Sequence, residues 1–275
     1  MYMRLKNGKT KVVTLSYDDG VFQDERLIEI MNKNGLKGTF NINSGLFLPE
    51  NKARGEDGNR RMKLSEAKKL YIGSGHEVAL HGVTHPFLDK LPRSEMVNEV
   101  LNDRINLERE FGGIVRGMAY PFGTWSEELL GVLETCGIVY SRTTFSTETF
   151  DFPKNWLTLN PTCHHRNPRL TELANKFLAP NRFNRCKMFY LWGHSYEFDD
   201  YDNWNIIEEF AKFIGGRDDI WYATNIEIYN YVKAYERLIT SADVGTVHNP
   251  TDTDLWIDER GEAICIKAGE TIKIK

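Results

Sequence analysis

The chain has 275 residues, 41% of them hydrophobic, and a formal net charge of −4. This composition sustains a large buried core and excludes a disordered chain; with no concentrated block of Lys and Arg it also excludes a nucleic-acid surface. No apolar run is long enough to span a bilayer, and the N-terminus has no signal-type apolar segment. The expectation is a cytoplasmic chain with no membrane partner, a trimmed export signal aside.

In chain order, the first strand is read at 11–17 (KVVTLSY), followed by a helix with Leu27, Ile28, Ile30 and Met31 on one stripe that stops at Gly35. A strand at 38–44 precedes a polar loop over 49–62. A short helix opening at Ser65 and Glu66 leads to a strand at 76–81. The clearest helix spans 94–113 and ends at Gly112 and Gly113. Strands follow at 114–120 and 137–143, separated by a helix over 126–136. The stretch 144–168, with Pro153, Pro161 and Pro168, reads as irregular. A helix at 169–178, a strand at 187–194, a helix near 205–214, a strand at 219–225 and a last helix to about 238 complete the pattern.

Alternation of this kind implies parallel strands with helical crossovers. Seven units are one short of a full TIM-like barrel, so the expected fold is α/β: a distorted or incomplete (β/α) barrel of about seven parallel strands. The tail reads as short strands, giving a barrel over 1–240 and a small β extension over 241–275 packed on it. Cys136, Cys163, Cys186 and Cys265 form no CxxC pair and read as reduced.

Chemistry-bearing residues sit just after the strands. LSYDDG places Asp18 and Asp19 after the first strand and HGVTH places His81 and His85 after the third. PFG (121–123) follows the fourth, and LWGH places His194 after the sixth. In a parallel barrel these ends converge on one face. His81 and His85, four apart, share one face if the segment is helical, and two imidazoles with one carboxylate form a common shell for a catalytic divalent metal. One aspartate can then bind the ion while its neighbour stays free to accept a proton, the ion offsetting their mutual repulsion.

The motifs LSYDDG, HGVTH, PFG and LWGH resemble those of the polysaccharide deacetylases, the NodB-homology carbohydrate esterases, over roughly residues 11–225. The resemblance implies a metal-dependent hydrolase that removes acetyl groups from an N- or O-acetylated saccharide. It casts Asp18 as base, Asp19 with His81 and His85 as metal ligands, and His194 as general acid. The ion would be divalent, zinc first, with cobalt, nickel, manganese or iron as alternatives. The backbone N–H of Phe122 would be a second donor to the oxyanion. The implied partner is an acetylated oligo- or polysaccharide, with homo-oligomer formation left open.

Two motifs depart from the family. Ala119 stands where an arginine is expected; Arg142, at the end of the fifth strand, is the preferred replacement, the alternative being a pair with a structural carboxylate. Asn155 stands where the DxxDW motif has its aspartate, so charge-tuning of His194 must come from elsewhere, Asp199 being one candidate. His164 and His165 could bind substrate, tune a neighbour or approach the metal. Trp125, Trp156 and Trp192 are candidates for stacking on a sugar, with core packing as the alternative. Two other functions stay open: hydrolysis of C–N bonds in cyclic amides or ureides, and a non-catalytic carbohydrate-binding barrel.

Overall fold

The computed structural model describes residues 2–180 and 185–274. Its centre is β2 (Lys11–Asp18), a strand buried along its whole length. Near-continuous burial is what a central parallel strand requires, since both of its faces are covered. Around it lie β3 (Gly38–Ile42), β4 (Glu77–Leu80), β5 (Gly117–Ala119), β6 (Tyr140–Arg142), β7 (Cys163–His164) and β8 (Lys187–Gly193). These seven run parallel in the spatial order β6-β5-β4-β3-β2-β8-β7, and β9 (Ile220–Tyr222) pairs with the first half of β2. Among the described residues the edge strands β6 and β7 do not pair; Arg142 of β6 instead makes an isolated parallel bridge to Leu159, ahead of β7. The sheet is therefore a curled, incomplete barrel, as expected, and not a complete TIM-like one. The strand β7 lies inside the stretch read as irregular; its two residues give no periodic signal.

Side-chain alternation divides β2 into two working faces. Val13, Leu15 and Tyr17 join the apolar layer with Leu27, Ile28 and Met31 of α1 (Asp24–Lys33). Val12 packs at the other face with Met188, Tyr190 and Ala223. Further along that inner face the lining turns polar. Thr14 donates to Asn225 Oδ1 at 3.0 Å, Asn225 donates to the Tyr190 hydroxyl at 2.7 Å, and Asn41 donates to Ser16 Oγ at 2.8 Å. Asp18 comes next on this face, so an apolar floor leads up to a charged mouth.

The outer layer continues with α2 (Leu64–Tyr71), α3 (Arg93–Phe111), α4 (Glu127–Thr135), α5 (Leu170–Leu178), the short α6 (Glu197–Asp200), α7 (Asn205–Ile214) and α8 (Asn225–Tyr235). After α8, β10 (Ile239–Thr240), β11 (Thr246–His248), β12 (Leu255–Glu259), β13 (Glu262–Ile266) and β14 (Thr271–Lys273) form antiparallel pairs in two small sheets. The N-terminal β1 (Tyr2–Arg4) pairs with β12, and Arg4 forms a buried ion pair with Asp258. Tyr231 of α8 ties this layer to the barrel: its hydroxyl donates to Arg4 O at 2.9 Å and accepts from Trp256 N at 3.1 Å.

Asp24, fully buried at the start of α1, accepts from the hydroxyls of Ser195 at 2.5 Å and Tyr71 at 2.6 Å. Burial raises its carboxyl from 3.8 to about 7, against the pull of those two donors. The folded chain thus holds a proton that the unfolded chain releases near pH 4. Its stabilising contribution is complete below that pH and is lost as pH rises to about 7, at up to ~1.4 kcal/mol per pH unit. Urea midpoints of wild type and Asp24→Asn between pH 4 and 7.5 check this: the variant is expected to lose that slope, and equal slopes would contradict it.

Candidate metal and hydrolytic site

The strand ends gather Asp18, Asp19, His81, His85 and His194 in one cleft. Asp18, the last residue of β2, is buried, with Oδ1 accepting from Asn41 Nδ2 at 2.8 Å and Oδ2 paired with the fully buried guanidinium of Arg142. The ring nitrogens His81 Nε2 and His194 Nε2 each lie 3.9 Å from the same Oδ2. Burial alone would raise the Asp18 carboxyl, but Arg142, His81 and His194 outweigh it and bring it down to about 2. Arg142 reaches Asp18 from the fifth strand of the chain's barrel pattern, and its guanidinium also lies 4.5 Å over the Trp192 ring.

Asp19 leaves the strand with φ of 85°, which turns its side chain away from that of Asp18. Its carboxylate, His81 and His85 offer ligand atoms that all lie within 4.8 Å of one another. His81 is fixed on several sides. Its Nδ1 lies 2.8 Å from Ala119 O, its backbone N–H donates to Asp103 at 3.0 Å, and its carbonyl accepts from Asn43 at 2.5 Å. A proton on Nδ1 would serve Ala119 and leave Nε2 facing the cleft, the second-shell arrangement common to metal-binding histidines. Burial lowers His81 to about 4 and lowers His85 as well, so both rings are neutral donors at neutral pH. Two neutral imidazoles and a carboxylate suit a borderline divalent ion such as zinc. Arg61 pairs with the same Asp19 carboxylate at 2.9 Å from the loop after β3.

The HxxxH segment is not helical, contrary to the reading from its spacing. It is a loop in which Gly82 has φ of 75° and His85 φ of 59°. Three of the eight described non-glycine residues with positive φ are Asp19, His85 and Phe122, so left-handed backbone concentrates at this cleft. Phe122 follows β5, its ring 4.6 Å from His85 and stacked on Phe87 at 3.8 Å.

His194 is partly exposed and raised above its ordinary pKa. Burial opposes that shift, and Glu197, Asp18 and Asp19 overcome it. Asp199 does not serve this purpose: it accepts from Gln23 at 2.9 Å and Trp204 at 2.7 Å. Glu197 stands in its place, with Oε1 3.6 Å from His194 Nδ1. Its Oε2 lies 3.0 Å from His164 Nε2 and 3.1 Å from His165 Nε2. Burial would raise the Glu197 carboxyl, but the three imidazoles hold it well below the usual range. Glu197 lies three residues beyond His194, a spacing the sequence offered, as it offered Asn41 and Asn43 at alternate positions of FNINS. Trp192 belongs to this cleft, 4.6 Å from the His164 ring. Trp156 does not: it is buried against Tyr229 at 5.3 Å in the apolar floor, and Asn155 caps the adjoining turn by accepting from Leu157 N at 2.9 Å. Trp125 is exposed.

Residues 5–141 match the family model for polysaccharide deacetylase. A chitooligosaccharide deacetylase of Bradyrhizobium sp. (strain ANU 289) is 26% identical over 132 residues, 47% of this chain and 54% of that protein. The chain thus spans about half the length of the curated relative it matches. Two solved structures share the fold. A Mycobacterium smegmatis protein assigned as a polysaccharide deacetylase superposes with TM-score 0.59 at 14% identity, over 86% of this chain and 95% of the other. The chitin deacetylase of Colletotrichum lindemuthianum gives TM-score 0.53 at 17% identity, over 82% and 89%. Motifs, fold and family model agree, and the chain belongs to the polysaccharide deacetylase family.

Proposed function

We propose that the chain is a metal-dependent hydrolase that removes acetyl groups from an N- or O-acetylated saccharide, with Asp18 as base and His194 as acid. The observation that carries this reading is the placement of Asp18. It is an ionised carboxylate outside the Asp19–His81–His85 set, yet 3.9 Å from both His81 and His194. A barrel that only bound sugar would have no use for a buried base facing a partly exposed acid.

Asp19, His81 and His85 would hold the ion, which when bound supplies a polarised acetyl carbonyl and a more acidic water. Asp18 takes the proton of the attacking water, its geometry fixed by Arg142 and Asn41. The backbone N–H of Phe122 is the candidate donor to the developing oxyanion. His194, with Glu197 behind it and Asp18 in front, keeps its proton and delivers it to the leaving nitrogen or oxygen as the bond to the acetyl carbon breaks. The products are acetate and the free amine or hydroxyl. The curated relative named for chitooligosaccharides supports an N-acetylated sugar as the first substrate to test.

Acetate release from N-acetylated chitooligosaccharides, peptidoglycan fragments and acetylated xylan checks the reading. At least one substrate is expected to turn over. Asp18→Asn is expected to lose ~10²–10⁴-fold in rate while retaining its ion, and His81→Ala to lose the ion. Turnover of ureides with none of acetylated sugars would contradict it.

Breaking the buried Asp18–Arg142 pair leaves an uncompensated charge. Arg142→Met is expected to destabilise by ~3–5 kcal/mol in urea unfolding, and adding Asp18→Asn to recover part of that loss. A loss under about 1 kcal/mol would show that the pair is solvated and not structural.

A further inference from the structure

A second group of donors lies beside the site just described. The end of β7 and the start of α6 bring together His164, His165 and Glu197, whose ligand atoms all lie within 4.8 Å of one another. His165 is 1% exposed, and its ring fills space that only glycine leaves at position 193: a Cβ there would sit 2.0 Å from His165 Nδ1. His165 Nδ1, His165 Nε2 and Glu197 Oε2 are buried with no hydrogen-bond partner among the described residues. The 3.1 Å approach of His165 Nε2 to Glu197 Oε2 therefore lacks hydrogen-bond alignment. Buried polar atoms left this way are costly, and an ion is one of the few groups that accounts for them.

We propose that His164, His165 and Glu197 form a second divalent-cation site, weaker than the first, whose filling inhibits the enzyme. The inhibitory part rests on the deacetylase reading above; the binding does not. With donor-to-metal distances near ~2.1 Å, neighbouring ligands in a tetrahedral or octahedral shell stand about 3.0–3.4 Å apart. The 3.0 and 3.1 Å separations from Glu197 Oε2 match that edge. The His164 ring and Glu197 are partly open to solvent, which provides a route in and room for water ligands.

The order of filling follows from ring protons. His81 Nδ1 already faces the Ala119 carbonyl, so its Nε2 is free for an ion. His164 Nδ1 instead accepts from Arg166 N–H at 3.2 Å, which places the ring proton on Nε2. Binding there requires the proton to move to Nδ1 and that contact to break, a penalty the first site does not carry. The inhibition follows from Glu197, whose Oε1 faces His194 Nδ1 at 3.6 Å. A cation drawing on this carboxylate takes up the negative charge that faces His194.

Cobalt(II) titration of the metal-stripped protein, read by calorimetry and by metal content, tests the proposal. Two ions per chain are expected. His81→Ala should lose the tighter one, and His164→Ala and Glu197→Gln should each weaken the looser one by more than ~10-fold. Acetate release should rise with the first ion and fall as the second binds, with the fall displaced to higher cobalt in His164→Ala. One ion per chain at millimolar cobalt, unchanged by His164→Ala, would overturn the second site and leave the deacetylase reading standing. Two ions with no fall in activity would overturn the inhibition. A looser ion lost in His164→Ala from a protein that releases no acetate would support the site while sinking the deacetylase reading.

Discussion

The buried pair of Asp18 and Arg142 is the interaction on which the cleft depends. Two carboxylates adjacent in sequence repel, and in a low-dielectric setting one of them would normally take up a proton. The chain resolves this by giving each its own partners. Strand alternation carries Asp18 inward onto a guanidinium and an amide, while the left-handed backbone at Asp19 swings the second carboxylate toward His81, His85 and Arg61. The same residue pair thus holds two charges in two environments a few ångströms apart.

The barrel interior prepares this division. Its floor is apolar, built from Val12, Met188, Tyr190 and their neighbours, and its upper half is a ladder of polar side chains ending at Asp18. The ladder draws its partners from the adjoining strands β3 and β8 and from the start of α8, so the site inherits its geometry from the barrel framework. Of the site residues that lie past the strand ends, Asp19, His85 and Phe122 are held in sparsely populated backbone conformations.

Much of this was legible because strand ends in a parallel barrel share one face, so short motifs could be placed together without knowing the coordinates. Arg142 was placed the same way, as a cation at the end of the fifth strand that could replace the missing motif arginine. The failures have physical causes. Spacing of four suggested a helix for His81 and His85, but Gly82 and the turn at His85 deliver the same convergence from a loop. Asp199 carries the right charge, yet Gln23 and Trp204 already occupy it, and only tertiary packing shows that Glu197 faces His194. Trp156 follows a motif remnant, but its aspartate has become a capping asparagine and the ring has settled into the floor. Strand β7, two residues long, carries His164 to the site without any pattern to announce it.

The separation of roles between the two neighbouring aspartates is tested most directly by diffraction from crystals grown with zinc, using anomalous scattering at the metal edge. The expected result is an ion within ~2.0–2.2 Å of Asp19, His81 and His85, with Asp18 still joined to Arg142 and outside the coordination shell. An ion ligated by Asp18, or one that leaves His81 and His85 unliganded, would contradict it.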